Sequence, residues 1–268
     1  MRIGTTLRNM GAESTPKVMG ECAHIAESVG LESIWVVDHI AIPPDDAEGS
    51  GGRYLDPLAS LAWLAGRTER ILLGVGVLIL PYRPPLPTAK TIATVQELSG
   101  ERMILGAGVG WMQPEFDALG VDRSRRGRDT DATLAFLNDC FANDEVAANG
   151  QPFLFKPRPR KPPILVGGGP PHALERAVRY GDGWLPMARE PAKIAVQTAE
   201  LQRLAAAAGR EPLEVTAMTG LPEDPVAAAE RVAAFADAGV DRIVAGGRYG
   251  SVAEFAARAE ALGALSDS

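Results

Sequence analysis

Arg70-Ile71-Leu72-Leu73-Gly74-Val75-Gly76-Val77-Leu78-Ile79 is a run of ten residues in which every side chain after the arginine is aliphatic and only two glycines intervene. A half-exposed strand alternates apolar with polar residues, whereas an unbroken apolar run is covered on both faces, as strands of a parallel sheet are. Working outward, shorter β-rich stretches stand at 2–7, 33–38, 102–108, 163–167, 182–186, 213–218 and 241–245. Helical windows separate them. Val18, Cys22, Ile25, Ala26 and Val29 fall at i, i+4, i+7, i+8 and i+11, and Ile92, Val95 and Leu98 at i, i+3 and i+6. Gly30 and Gly100 stand where those helices should stop. Eight strand–helix units share 268 residues, about 33 residues each, which is the scale of an α/β (β/α)8 TIM barrel. The reading is one barrel domain over 1–268. Its long interruption, 143–163, is rich in proline and basic residues and is expected to be an irregular rim or lid insertion at the barrel mouth.

An open doubly wound sheet is the competing fold, and it requires a G-x-G-x-x-G turn followed by a helix and an acidic strand end. The nearest candidate, Gly106-Ala107-Gly108-Val109-Gly110-Trp111, has different spacing and leads through Pro114 into an arginine-rich stretch. The dinucleotide fingerprint is absent.

Net charge is −7 and the pI is about 5.1, so no global positive field exists to hold nucleic acid or an anionic membrane. Any anionic ligand must be met locally. No segment approaches the roughly 18 apolar residues of a membrane span, and the amino terminus lacks a basic region leading into an apolar one. A cytoplasmic protein is expected. Cys22 and Cys140 match no metal or redox spacing and are read as buried, reduced thiols, and His24, His39 and His172 show no ligand spacing, so no metal is expected. Of the 27 basic residues, 22 are arginine.

In a (β/α)8 barrel the chemistry sits where strands end at their carboxyl side. Asp38-His39 closes the second predicted strand before a proline-broken loop, and histidine there can give or take a proton near neutral pH. The fourth strand runs out through Val109, Gly110 and Trp111, which offers a flexible backbone and an aromatic plate for a flat ligand. Downstream, Arg123, Arg125, Arg126 and Arg128 concentrate positive charge. The fifth strand ends in Gly167-Gly168-Gly169-Pro170-Pro171-His172 and then a helix. Glycines that free backbone N–H groups at a helix start suit a phosphate. His172 is read as exposed at that helix start.

Trp35-Val36-Val37-Asp38-His39, Ile71 to Pro81, Leu98-Ser99-Gly100-Glu101-Arg102, Leu105 to Trp111, Ile164 to Gly168 and Gly181-Asp182-Gly183-Trp184, in that order, resemble the bacterial luciferase-like family over nearly the whole chain. The resemblance is to its short subgroup of coenzyme F420-dependent oxidoreductases. It implies a (β/α)8 barrel, His39 as the acid–base residue with Asp38 beside it at the ring edge, and a strand bulge with a non-prolyl cis peptide at Gly76-Val77 behind the deazaflavin ring. It further implies a phosphate site at Gly167, Gly168 and Gly169. From the residue pattern, Val109, Gly110 and Trp111 are expected as coenzyme contacts, and Arg126 and Arg128 as helpers of the phosphate site. Trp111 stands where deazaflavin sugar-phosphate dehydrogenases of the superfamily carry glutamate, which implies a less polar substrate. The activity implied is hydride transfer between F420 and a small organic molecule. The alternatives are a two-component monooxygenase using reduced FMN, and a non-catalytic deazaflavin-binding protein. The helix expected over Asp56–Ala65 is apolar around more of its circumference than a barrel exterior needs, which with the family habit implies a homodimer.

Overall fold

The computed structural model describes residues 1–265. Eight parallel strands close into a barrel: β1 (Arg2–Thr6), β2 (Ser33–Val36), β3 (Leu72–Ile79), β4 (Met103–Gly108), β7 (Ile164–Gly167), β8 (Gly183–Leu185), β9 (Glu214–Thr219) and β10 (Arg242–Ala245). Neighbours in the chain are neighbours in the barrel, and β1 pairs with β10 to close it. Helices α1 (Pro16–Ser28), α2 (Pro57–Ala65), α3 (Pro85–Leu98), α5 (Arg126–Ala142), α6 (His172–Tyr180), α7 (Pro191–Ala207), α8 (Pro225–Asp237) and α9 (Val252–Ala264) form the outer ring. A short additional helix, α4 (Gln113–Leu119), leaves the carboxyl end of β4. All eight expected strands are present, each within three residues of its expected ends. Gly30 and Gly100 follow α1 and α3 with φ of 81° and 65°, a left-handed stop that a side chain would resist.

The interior of the barrel is filled from one residue outward. Trp35 on β2 is fully buried with Ile104, Leu165, Leu185, Met218 and Val244 around it, and its indole N–H donates to Ser33 Oγ at 2.9 Å. The strand beside it gives way. A Cβ on Gly74 would lie 2.3 Å from the indole ring, and one on Gly76 would lie 2.8 Å from Met218 Sδ. Register with β4 then slips between Val75 and Leu78, and the Gly76-Val77 peptide is cis. The displaced segment presses on the next strands. Cβ atoms on Gly106, Gly108 and Gly167 would come within 2.2, 2.3 and 2.7 Å of Val75 O, Val77 Cγ2 and Val77 Cγ1.

At the opposite end, where strands begin, Arg242 is buried and donates to Glu32 at 2.7 Å and to Glu214 and Thr216, bridging β10 to the start of β2 and to β9. The segment 143–163 belongs to this end too, which corrects the expectation of a lid at the mouth. It follows α5 and forms a hairpin, β5 (Glu145–Ala148) and β6 (Gln151–Leu154), around Asn149 and Gly150, both at positive φ. Phe155 is buried against Phe141, while Arg160 and Lys161 pair with Glu101 and Asp182 just before β4 and β8. The rim at the mouth is built by α4. Most of the apolar circumference of α2 is consumed within the chain: Leu58, Leu61, Leu64 and Ala65 are buried, and Trp63 lies against Gly20 of α1. Cys22 and Cys140 are free and buried, and burial pushes both thiols up to about 11. Among the described residues no helix is long and apolar enough to cross a membrane, and no group of acidic, histidine and cysteine side chains is placed to hold a metal ion.

Replacing Gly74 with Ala should cost about 2–3 kcal/mol in urea denaturation, because the new methyl overlaps a rigid indole. Trp35→Leu in the same background should recover part of the loss, a coupling that a double-mutant cycle reads directly.

Candidate active site

The chain gathers its polar chemistry at the carboxyl ends of β2, β3 and β4. Asn9, fully buried beyond β1, accepts from Val37 N at 3.0 Å and donates to Val37 O at 2.8 Å, which fixes the backbone just before Asp38 and His39. Asp38 is buried. Its two oxygens take a two-pronged contact from Arg83 at 2.6 and 2.9 Å, and one also accepts from Ile79 N at 2.8 Å. Arg83 reaches on to Asp56, the residue that caps α2. Asp38 is therefore engaged in bracing β2 to the loop after β3.

His39 is held by a residue that sequence reasoning missed. Glu115, in the first turn of α4, has no exposed surface, and its Oε2 lies 2.8 Å from His39 Nδ1 and 3.0 Å from the Tyr82 hydroxyl, which donates to it. Its Oε1 accepts from Ile40 N at 2.7 Å and Ala41 N at 3.0 Å. Burial alone would raise the pKa of this carboxyl, but the amides of Ala41 and Ile40 and the His39 ring outweigh it and hold the group below its ordinary 4.5. The same carboxylate, after burial itself, pushes the Tyr82 hydroxyl up, so Tyr82 stays protonated. An ionised carboxylate can only accept, so Nδ1 carries the proton and Nε2 is left to act. The imidazole is flanked by Tyr54 at 5.0 Å and Trp111 at 6.5 Å, both edge-on.

Glu115 reaches this position because Gly110, at φ 76°, turns the chain out of β4 where a Cβ would strike Ile79 and Phe116 at 2.8 Å. Val109 and Gly110 are half-buried at this turn, and Trp111 is 65% exposed on the rim with Ile40 and Met187. A carboxylate does stand at the histidine, delivered four residues after Trp111.

Two cavities open beside this arc. One, of about 780 Å³, is walled by the ends of β1, β8, β9 and β10 and reaches Gly76 and Val37, with Leu7, Met10, Met187 and Met218 as its apolar lining. The other, of about 340 Å³, lies between the turn after β7 and the start of α7, lined by Gly168, Gly169, Trp184, Arg189 and Lys193. Trp184 fixes that turn by donating its indole N–H to Gly168 O at 2.8 Å. Nothing stands within 4 Å of where a Gly169 Cβ would be. Three expected members fall elsewhere. Gly167 is buried against Val77 and faces the barrel interior. Arg126, at the start of α5, donates to Arg123 O, and Arg128 is exposed; neither lines this cavity. The cations that do line it, Arg189 and Lys193, come from the loop after β8 and from α7. His172 is 82% exposed beside Glu175, as read from sequence.

The model of the luciferase-like monooxygenase family matches residues 1–266. The chain belongs to the luciferase-like monooxygenase family. An uncharacterised protein from Mycobacterium tuberculosis is 31% identical over 267 residues, covering 90% of this chain and 91% of that protein. The F420-dependent hydroxymycolic acid dehydrogenase of the same organism is 32% identical over 202 residues, covering 71% of this chain and 54% of its own. Among solved structures, monooxygenase RslO1 from Streptomyces bottropensis superposes with a TM-score of 0.81 at 19% identity, covering 99% of this chain and 98% of that one. It shares the luciferase-like fold.

Because Glu115 is held below 4.5 only in the folded chain, it contributes stability that is present above about pH 4.5 and lost as pH falls through its lower folded pKa. Glu115→Gln should cost about 2 kcal/mol at pH 7, since an amide nitrogen would face two donors. The variant should also lose less stability than the wild type between pH 5 and about pH 3; urea midpoints across that range read both effects.

Proposed function

We propose that this protein is a coenzyme F420-dependent oxidoreductase that moves a hydride between the deazaflavin and the carbonyl or activated double bond of a small organic substrate. One observation carries the reading: a histidine at the carboxyl end of β2, tied through Nδ1 to a fully buried carboxylate, keeps Nε2 without a partner among the described residues, next to the strand that carries the Gly76-Val77 bulge. The kinship with an F420-dependent dehydrogenase supports the choice of coenzyme.

The residues present fit the group. The turn at Gly168 and Gly169 is free of side chains, with Arg189 and Lys193 across from it, and suits a phosphate. Gly76, at the floor of the larger cavity, brings backbone rather than side chain to a flat ring. When bound, the deazaflavin supplies a two-electron hydride at a ring carbon.

All other work falls to the chain. His39 Nε2 gives a proton to the substrate oxygen as the carbonyl is reduced, or removes one in the reverse direction. Glu115 lies 2.8 Å from the other ring nitrogen and fixes the tautomer and the orientation of the ring for that transfer. Tyr82 and the two amides keep Glu115 from rotating away. Asp38, bound to Arg83, is a positioning residue in this scheme.

His39→Ala should lower kcat by about 100-fold or more while F420 affinity stays within a few-fold, measured by single-turnover reduction and fluorescence titration. Titration of the wild type with F420 and with FMN tests the coenzyme: F420 should bind, and binding of FMN alone would overturn the reading.

A further inference from the structure

The larger cavity has a polarity that neither the fold nor hydride transfer requires. Arg8, Arg189, Arg231 and Arg248 reach it from four separate elements: the loop after β1, the loop after β8, helix α8 and the loop after β10. These elements form one continuous arc of the barrel. No aspartate or glutamate lines the cavity, although the chain as a whole carries a net charge of −7. The four guanidinium groups are not equally engaged. Arg8 is neutralised by Glu13 at 3.0 Å and also donates to the carbonyls of Tyr249 and Gly49. Arg231 donates to the carbonyl oxygens of Gly220 and Arg189 and meets no carboxylate. The side chains of Arg189 and Arg248 have no hydrogen-bond or ion-pair partner among the described residues. Glu223 and Glu254, which line the neighbouring cavity with Arg248, do not pair with it, and Glu254 is engaged by Gly250 N at 2.8 Å.

Uncompensated cations clustered on one wall repel one another, and an acidic chain has carboxylates enough to neutralise them. Leaving three of them without a carboxylate at a cavity that also reaches Gly76 makes an acceptor for negative charge. The remaining wall is apolar: Leu7, Met10, Val37, Met187 and Met218. We infer that the substrate is an organic anion, an apolar body bearing a carboxylate or phosphate, whose charged end is held by Arg189, Arg231 and Arg248 while its reducible end lies toward Gly76 and His39. The inference rests on the proposed reading for which end faces the coenzyme. The anionic chemistry has two possible sources, the substrate or an acidic tail of the coenzyme, and the experiment separates them.

Binding of hexanoate and hexan-1-ol to the full-length protein is followed by saturation-transfer NMR and calorimetry, with and without F420. Wild type, Arg231→Ala, Arg248→Ala and the double variant of these two are compared; Arg189 is left in place because it also lines the cavity at the glycine turn. Arg248 is exposed and unpartnered, and Arg231 donates only to two carbonyl oxygens and the Thr219 hydroxyl, so the folded chain should survive their removal; circular dichroism verifies this. The wild type should bind hexanoate at least about tenfold more tightly than hexanol. The double variant should lose that preference while its F420 affinity changes less than threefold. Absence of hexanoate binding in both states, or equal binding of acid and alcohol, overturns the inference. So does a tenfold loss of F420 affinity in the double variant with hexanoate binding unchanged, which would give the arginines to the coenzyme. Because hexanoate is read on the coenzyme-free protein as well, failure of F420 to bind is scored separately from failure of the anion site.

Discussion

The packing of Trp35 inside the barrel sets the conditions for everything at the mouth. A buried indole occupies far more room than the aliphatic side chains that usually fill such an interior, and a (β/α)8 barrel cannot widen locally without breaking its ladder. The adjoining strand yields instead, with glycine at 74 and 76, and its register slips at Val75 to Leu78. Val77 is then driven toward β4 and β7, which yield in turn at Gly106, Gly108 and Gly167. These five glycines are one steric consequence passed across four strands. The outcome is a floor of backbone at Gly76, with the thioether of Met218 beside it, where the larger cavity begins.

On that floor the polar groups are divided by arc. β2, β3 and β4 contribute His39, Tyr82 and Glu115; β7 and β8 contribute the open glycine turn; β8 through β1 contribute the arginines. A buried carboxylate is tolerable only if its lone pairs are satisfied, and Glu115 accepts four hydrogen bonds, three of them from groups flanking or belonging to the loop that carries His39. The energy that keeps Glu115 charged is thus the same energy that fixes the imidazole and its loop. Asp38 does the parallel job one residue earlier, converting the guanidinium of Arg83 into a tie between β2, the end of β3 and α2.

The strands were legible because each is a short apolar run with a punctuated end, and period alone separates them from helices. His39 was legible because Trp35-Val36-Val37-Asp38-His39 is one of the ordered motifs that carry the family resemblance; a strand-end histidine before a proline-broken loop is by itself as readily a loop cap. Glu115 was not: it sits in Gln-Pro-Glu-Phe, an ordinary helix start, and only the left-handed turn at Gly110 aims that helix at His39. The arginine cluster at 123–128 drew attention by density, yet it begins a helix that leads away from the glycine turn. Arg189, Arg231 and Arg248, scattered over sixty residues of sequence, converge because parallel strands bring all their carboxyl ends to one face. The hairpin within 143–163 carried a signal that went unread, Asn149-Gly150 between β-forming pairs. Its place at the far end follows from helix direction: a segment after a barrel helix and before a strand must lie where strands begin.

Net charge and local charge part company here for a physical reason. With a Debye length of about 8 Å at physiological ionic strength, the surplus carboxylates on the outer helices are screened from the mouth, while guanidinium groups lining a concave wall act on a ligand at contact. An acidic exterior and a basic cavity therefore coexist with little cost. They also act in sequence: the exterior repels anions at long range only weakly, and the cavity rewards those that enter. Selectivity in such a site comes from pairing charge with the apolar wall of Met10, Met187 and Met218, because a small inorganic anion gains the first without the second, and a neutral apolar molecule gains the second without the first.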